Sequence, residues 1–267
     1  MSTTEESASY FLELASEQRL EILLNLLEKK HKVSEISKKL GATIQEVYRN
    51  FERLAKAGLI TKDVDDYYHL TVYGRTICSQ MPSMVFLSSN RKYFEKHEFG
   101  DIPIKFIMRI GQLAGGRKIE GVVKVFAKWK EVYKNANEYI FEMLTEVPLD
   151  LIEPLVKRIR DGVQFHYIFD ENAIVPVGRK KLLKNLEFEK LIEKKLVERK
   201  MIKGLQVVIV LNEKEACVSF PDTDGKADLT STFYGSDPLF HEWCLDYFRY
   251  CWYASGSFQE SKLKENA

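Results

Sequence analysis

The stretch GATIQEVYRNFERLAKAG, residues 41–58, decides the fold of the first part of the chain. Thr43 and Glu46 have the spacing of a capping box. In this motif the threonine hydroxyl accepts a hydrogen bond from the glutamate backbone amide, and the glutamate carboxylate reaches back. The pattern predicts a helix that begins at Thr43, runs to about Ala57 and is ended by Gly58.

This predicted helix has two different faces. At about 100° per residue, Val47, Phe51 and Leu54 fall on one side and form an apolar surface that can pack. The opposite side is polar and cationic, and it carries Gln45, Arg49, Arg53 and Lys56. One face is therefore expected to be buried and the other to be available to a partner.

Helices are also predicted before this stretch. Leucines at helical spacing predict a first helix over residues 12–30. A shorter helix follows over residues 34–40, and Gly41 can end it in the left-handed conformation. The stretch 41–58 is thus the third helix of the chain.

A β-hairpin is predicted after the third helix. Alternating side chains over residues 59–70 flank the turn pair Asp65-Asp66, and residues 71–81 predict a further helix. Three helices followed by a hairpin is the order of a winged helix-turn-helix, in which the third helix enters the major groove of DNA.

The exposed side chains of the third helix suit contacts with DNA. Arg49 could bind a guanine edge with two hydrogen bonds, and Gln45 and Asn50 could bind adenine. Contacts to phosphate are expected from Thr43, Lys38, Lys39 and Lys56. Arg53 completes the predicted DNA-binding set.

The local charge gives partial support to this interpretation. Residues 29–62 contain nine lysines and arginines and three acids, whereas residues 1–81 contain eleven basic and twelve acidic residues. The hairpin tip is acidic because of Asp63, Asp65 and Asp66, so phosphate should repel it and the wing is not expected to enter a groove. A second interpretation stays open, in which these cations form a solvated face and the domain is a protein-assembly module.

Composition limits the class of protein. The chain has 267 residues, 45% of them hydrophobic, and a net charge of +1, which indicates a globular protein. No apolar run reaches the roughly 18–20 residues of a membrane span, and the first residues lack the pattern of a signal peptide. We therefore expect a cytoplasmic protein that does not bind membranes.

Sequence motifs for cofactors, metals and catalysis were not found. The four cysteines show no C-x-x-C spacing, so free thiols are expected and no zinc site. Glycine-rich phosphate loops, a G-x-S-x-G elbow and an H-E-x-x-H helix are missing. Acids at 222, 224, 228 and 242 lie near His241, but they match only part of a calcium loop. No cofactor, metal ligand or catalytic residue is predicted.

The predicted secondary structure changes after residue 136, where strands begin to alternate with helices. A strand over 138–144, a helix over 149–160 and a strand over 163–169 predict a right-handed parallel unit. Further elements are a long charged helix over 180–203, strands over 205–211 and 216–220, and a last helix from Asp237-Pro238 to about residue 253.

The expected fold class is α+β. It comprises an N-terminal winged helix-turn-helix domain over 1–84, a helical connector over 85–136 and a C-terminal α/β effector and dimerisation domain over 137–267.

With these residues in place, the chain resembles an archaeal family of regulators. Its members join a winged helix-turn-helix to the domain first described in a methanogenesis regulator. The resemblance lies in GATIQEVYRN (41–50), LAKAGLI (54–60), YFEKH (93–97), IP (102–103), RIGQL (109–113), VSFPD (218–222) and SDP (236–238).

This resemblance implies a transcription regulator that binds double-stranded DNA as a homodimer and has a possible small-molecule effector. It also implies an effector domain shaped like phospholipase-D-like nucleases. Those enzymes need H-x-K-x(4)-D, and here no histidine is followed by lysine two residues on, so catalysis of that kind is not expected. A phosphodiesterase with a degenerate site that includes His166 remains an alternative.

Overall fold

The computed structural model describes residues 4–266. Contacts within the chain divide it after Pro82 into two compact units, which we call the first unit and the second unit.

The first unit has the predicted order of helices and hairpin. Its elements are α1 (Thr4–Leu14), α2 (Glu17–Glu28), α3 (Val33–Leu40), α4 (Ile44–Lys56), β1 (Ile60–Lys62), β2 (Tyr68–Leu70) and α5 (Val72–Cys78). The strands β1 and β2 are antiparallel, with Thr61 opposite His69. The winged helix-turn-helix prediction is confirmed.

The core of the first unit is built from the apolar stripes of its helices. Ile22 and Leu23 of α2 are fully buried, and they share one cluster with Val47, Phe51 and Leu54 of α4. These helices form because their apolar side chains recur at helical spacing and can be removed from water together. The result is a packed base that leaves one face of α4 outward.

The single helix predicted over 12–30 is in fact two helices. Ser16 is extended, so α1 ends at Leu14 and α2 begins at Glu17. The side chain of Arg19 donates to the backbone oxygens of Glu13 at 2.8 Å and Leu12 at 2.9 Å. Carbonyls at a helix end need such partners, so this contact stabilises the break.

The second unit alternates helices and strands. Its elements are α6 (Met81–Ser89, which contains the division), α7 (Arg91–Phe94), α8 (Ile104–Ile107), a 3-10 turn (Ile110–Gly115), β3 (Arg117–Glu120), α9 (Val122–Asn135), β4 (Tyr139–Glu146), α10 (Leu149–Arg160), β5 (Gln164–Pro176), α11 (Arg179–Asn185), α12 (Phe188–Glu193), β6 (Val197–Ile202), β7 (Val208–Asn212), β8 (Ala216–Ser219), β9 (Ser231–Gly235), α13 (Pro238–Ala254), β10 (Gly256–Ser257), a 3-10 turn (Glu260–Lys262) and β11 (Lys264–Asn266).

One large mixed sheet organises this unit. The strand order is β10-β6-β5-β4-β7-β8-β9-β3, and β11 pairs with β5. β4, β5 and β6 are parallel, which confirms the predicted strand–helix–strand unit. β7, β8, β9 and β3 continue the sheet in antiparallel fashion.

Helices cover both faces of the sheet. Trp129 and Tyr133 of α9 belong to one apolar cluster, together with buried residues of α10. On the other face, Phe240, Trp243 and Phe248 of α13 belong to a second cluster. The sheet is therefore the middle of three layers, and its central strands are buried on both sides.

The long helix predicted over 180–203 is wrong. This segment forms α11, α12 and β6, and it is broken by left-handed residues at Glu187 (φ 50°) and Lys195 (φ 57°). β6 is a strand because its backbone pairs with β5, with Val197 opposite Phe165. Because lysines and glutamates predominate in this segment, the sequence analysis did not recognise Val197 and Met201, which are buried, as the inward positions of a strand.

The segment 85–136, predicted as a helical connector, also contains a strand. β3 lies at the edge of the sheet and pairs with β9. Three of its four residues are exposed, so the sequence lacks the apolar alternation of a strand. Charged side chains are common on such edges, where they hinder pairing with other chains.

Candidate nucleic-acid interface

The capping box at the start of α4 is present as predicted. The Thr43 hydroxyl oxygen accepts from the Glu46 amide at 3.3 Å, and the Glu46 carboxylate accepts from the Thr43 amide at 3.2 Å. Gly41, in the left-handed conformation at φ 61°, ends α3 just before it. Together these residues fix the direction in which α4 leaves the preceding turn.

The two faces of α4 differ in burial as the sequence predicts. Val47, Phe51 and Leu54 are fully buried. Gln45, Arg49 and Lys56 are exposed on the opposite side. Within residues 4–266, no hydrogen bond or ion pair engages the side chains of these last three. The outward face of α4 therefore presents two cations and an amide to solvent.

Two residues of the predicted DNA-binding set are tied to neighbouring helices instead. Asn50 is half-buried and its amide donates to Gln18 at 2.7 Å. The Arg53 guanidinium makes two hydrogen bonds to Glu13, at 2.7 and 3.1 Å. These bonds hold α4 against α1 and α2, so both side chains would have to leave a partner before they could touch DNA.

The lysines of α3 are also at the surface. Lys38 and Lys39 are exposed, and the Lys39 ammonium donates to the side-chain oxygen of Asn25 at 2.6 Å. They lie in the last turn of α3, just before the turn into α4.

The acidic wing is less negative than the sequence indicated. Asp63 pairs with Lys30 at 3.0 Å, and Asp66 pairs with Lys62 at 2.6 Å. The hydrogen bond from Lys30 lowers the pKa of Asp63, so this carboxylate stays ionised and paired. Repulsion of phosphate by the wing is therefore weaker than we expected from sequence.

Two exposed side chains of α4 were missed by the sequence prediction. Ile44 is 60% exposed and Tyr48 is 48% exposed. Their i, i+4 spacing places them together beside Gln45 and Arg49. Apolar side chains at such positions can contact the methyl group of thymine. The available signal was an apolar pair at i, i+4 on the border between the buried face and the cationic face of the helix.

Other residues singled out from the sequence have structural partners. His166 stacks between the rings of Phe141 and Trp252, at 5.0 and 5.1 Å. Asp228 pairs with His97 at 2.9 Å, and the His241 ring bonds to the backbone oxygen of Asn212. Across residues 4–266, no group of three or more histidine, cysteine or acidic side chains could hold a metal ion.

The described part of the chain also has no helix that is long and apolar enough to cross a membrane. All four cysteines are buried and free.

The fold and the outward face of α4 define a winged helix-turn-helix protein, a class of DNA-binding transcription regulators. Residues 16–62 match the family described as bacterial regulatory protein, arsR family. This range covers α2, α3, α4 and β1. No curated protein matches the chain.

Several solved structures are similar over longer ranges. TrmBL2, an archaeal chromatin protein described with a novel mode of DNA binding, has 11% identity and a TM-score of 0.42 over 91% of this chain and 94% of its own. Nuc from Salmonella typhimurium, a phospholipase D family member, has 12% identity and a TM-score of 0.38 over 54% of this chain and 99% of its own. NucT from Helicobacter pylori has 9% identity and a TM-score of 0.41 over 54% and 98%. These values are too low for a functional comparison.

Proposed function

We propose that this chain is a sequence-specific DNA-binding transcription regulator that acts as a homodimer, with α4 as the reading helix and the second unit as the sensing and dimerising part. The observation that carries the proposal is the outward face of α4. Arg49 and Gln45 are exposed at its middle and start, where base edges are read in this class.

Two further residues of the predicted DNA-binding set are assigned to phosphate contacts. Lys56 of α4 and Lys38 of α3 are exposed cations and are suited to phosphate contacts. We leave Asn50 and Arg53 out of the base-reading group, because their side chains bind Gln18 and Glu13.

A homodimer is supported by exposed apolar side chains on α1. Tyr10, Phe11 and Leu12 are 43%, 65% and 66% exposed. Large aromatic side chains are enriched in contact surfaces between proteins. In a symmetric dimer two copies of α4 would meet half-sites about one helical turn apart, at roughly 34 Å.

Gel-shift measurements with the full chain and promoter fragments from its host test this function. We expect a few fragments to bind at low salt with dissociation constants of about 10⁻⁸ M or lower, and the others to bind far more weakly. Failure of every fragment to bind at low salt would exclude the proposal. Retention of a protein partner without any affinity for DNA would favour the assembly-module interpretation.

Replacing Lys56 with alanine is expected to weaken binding to all DNA sequences alike. Each phosphate neutralised by a lysine releases counterions and contributes about 0.9 to the slope of log K against log salt. For Lys56→Ala, the magnitude of the slope should therefore fall by about 0.9 for each protein chain bound to the DNA. Measurement of affinity at several salt concentrations gives the slope, and Lys134→Ala, at an exposed lysine of α9, is the control. An unchanged slope would remove Lys56 from the interface.

A further inference from the structure

Three polar side chains lie side by side on one face of the large sheet. In the register of β4, β5 and β6, Glu142 is opposite Tyr167 and Tyr167 is opposite Arg199. Glu142 and Tyr167 are only 3% and 2% exposed. Buried polar groups destabilise a protein unless they have partners, so a row of them in an apolar layer indicates a specific role.

The hydroxyl of Tyr167 lacks such a partner. Within the described chain it makes no hydrogen bond of acceptable geometry. Burial raises the pKa of Tyr167 to about 12, so the group keeps its proton at neutral pH. The Arg199 guanidinium opposes this rise, but a guanidinium can only donate. The phenolic proton therefore has no acceptor among the described residues.

Next to this hydroxyl, a carboxylate from the end of the chain bridges two arginines. Glu260 accepts from Arg179 at 2.7 Å and from Arg199 at 3.5 Å. The Arg179 side chain is only 4% exposed, whereas that of Glu260 is 39% exposed. The solvent-exposed carboxylate of Glu260 thus neutralises the buried guanidinium of Arg179.

A small cavity and a larger groove adjoin these polar side chains. The inner cavity, of about 30 Å³, is bounded by Glu142, Tyr167 and Arg179. The outer groove, of about 480 Å³, is bounded by Arg199 and Glu260 and otherwise mostly by charged side chains of α11, α12 and the turn between them. Both spaces share the side chains of Leu183 and Phe188, from α11 and α12.

We propose that Tyr167, Arg179 and Arg199 form a binding site for a small organic carboxylate, and that Glu260 occupies this site when no ligand is bound. Guanidinium groups match the geometry of a carboxylate. A ligand carboxylate would replace that of Glu260 and give the Tyr167 hydroxyl its acceptor. The apolar body of the ligand would lie along Leu183 and Phe188. Binding stands independently of DNA, whereas a role as effector rests on the proposed function.

Isothermal titration calorimetry of the full chain with hexanoate, at low ionic strength, tests the site. Glu260→Gln removes the competing charge and should raise the affinity for hexanoate about ten-fold or more, the usual effect of an interaction with a charged group. Adding Tyr167→Phe to this variant should lower the affinity about ten-fold, since one donor to the carboxylate is lost. Tyr167→Phe alone should not lower the thermal stability of the free protein, because it removes an unpartnered buried hydroxyl.

Glu171→Gln is the matched control. Glu171 pairs with Lys262 of the same C-terminal segment at 2.8 Å but does not contact either arginine, so its replacement should leave the affinity for hexanoate unchanged. The proposal would be overturned by three results: no binding of hexanoate to either the wild type or Glu260→Gln, equal binding of hexanol, or equal affinities of Glu260→Gln and Glu171→Gln. No DNA enters this experiment, so its failure is distinct from a failure of the proposed regulator function.

Discussion

Replacing Arg49 with alanine is expected to weaken binding to a specific DNA site by about ten- to a hundred-fold for each copy bound. A bidentate contact between arginine and guanine contributes about 1–3 kcal/mol of discrimination between bases. Arg49 is exposed on the outward face of α4, and its loss removes no contact of the core. In a homodimer both half-sites would lose the contact, so the two free energies would add.

Fluorescence anisotropy with a bound promoter fragment and with a scrambled fragment measures this effect. Binding to the specific fragment should fall steeply, whereas binding to the scrambled fragment should fall only by the loss of one charge. Specificity at one base position of each half-site should relax as well.

Arg75→Ala provides the control for the Arg49 prediction. It removes the same charge from an exposed position on α5, away from the reading helix, and is expected to leave specific binding nearly unchanged. If Arg49→Ala bound the specific fragment as tightly as the wild type did, α4 would not be the reading helix.

The main features of α4 could be predicted because they are local. The capping box joins residues three apart, and the apolar and cationic faces follow from helical geometry alone. The partners of Asn50 and Arg53 could not be predicted, since they lie 32 and 40 residues away along the chain. A cationic or amide side chain on a helix does not reveal whether a distant residue already binds it.

The second unit shows the same limit. β4, α10 and β5 were predicted because a buried parallel unit has continuous apolar runs. β6 was missed because lysine and glutamate fill its exposed positions, and only pairing with β5 makes it a strand. The alignment of Glu142, Tyr167 and Arg199 depends on the register of three strands that helices separate, and no local pattern encodes that register.

The stability of the second unit is expected to fall as the pH rises from about 5 to 8. Burial raises the pKa of Glu142 from 4.5 to about 8, although the hydrogen bond from the Tyr133 hydroxyl, at 3.0 Å, partly opposes the rise. Between these two pKa values the folded protein keeps a proton that the unfolded chain has released. The free energy of unfolding then decreases by about 1.4 kcal/mol per pH unit.

The total effect of this ionisation is about 5 kcal/mol between pH 4 and pH 9, obtained from the shift in pKa at about 1.4 kcal/mol per unit. This is a large part of the stability of an ordinary domain, which is about 5–15 kcal/mol. Arg179 bounds the same cavity as Glu142 but is paired with Glu260, so it does not neutralise the Glu142 carboxylate.

Glu142→Gln should abolish this pH dependence, because an amide of the same shape cannot ionise. The variant is expected to be more stable than the wild type above about pH 8, and no more stable below about pH 5. Denaturant unfolding followed by tryptophan fluorescence measures the difference. Trp129, Trp243 and Trp252 all lie in the second unit, so the fluorescence signal reports unfolding of the second unit and not of the first.

The control for this experiment is Glu120→Gln, which makes the same chemical change at an exposed edge of the same sheet. The side chain of Glu120 is 69% exposed, and the hydrogen bond from Lys118 lowers its pKa. It is therefore already ionised above pH 5 in both folded and unfolded chains, and its replacement should leave the pH profile unchanged. Parallel profiles of the wild type and Glu142→Gln between pH 5 and 9 would mean that the Glu142 carboxylate ionises at its ordinary pKa. Water or a further hydrogen-bond donor would then have to reach the Glu142 carboxylate, since solvation, a hydrogen bond to the ionised form or a nearby cation can lower a pKa raised by burial.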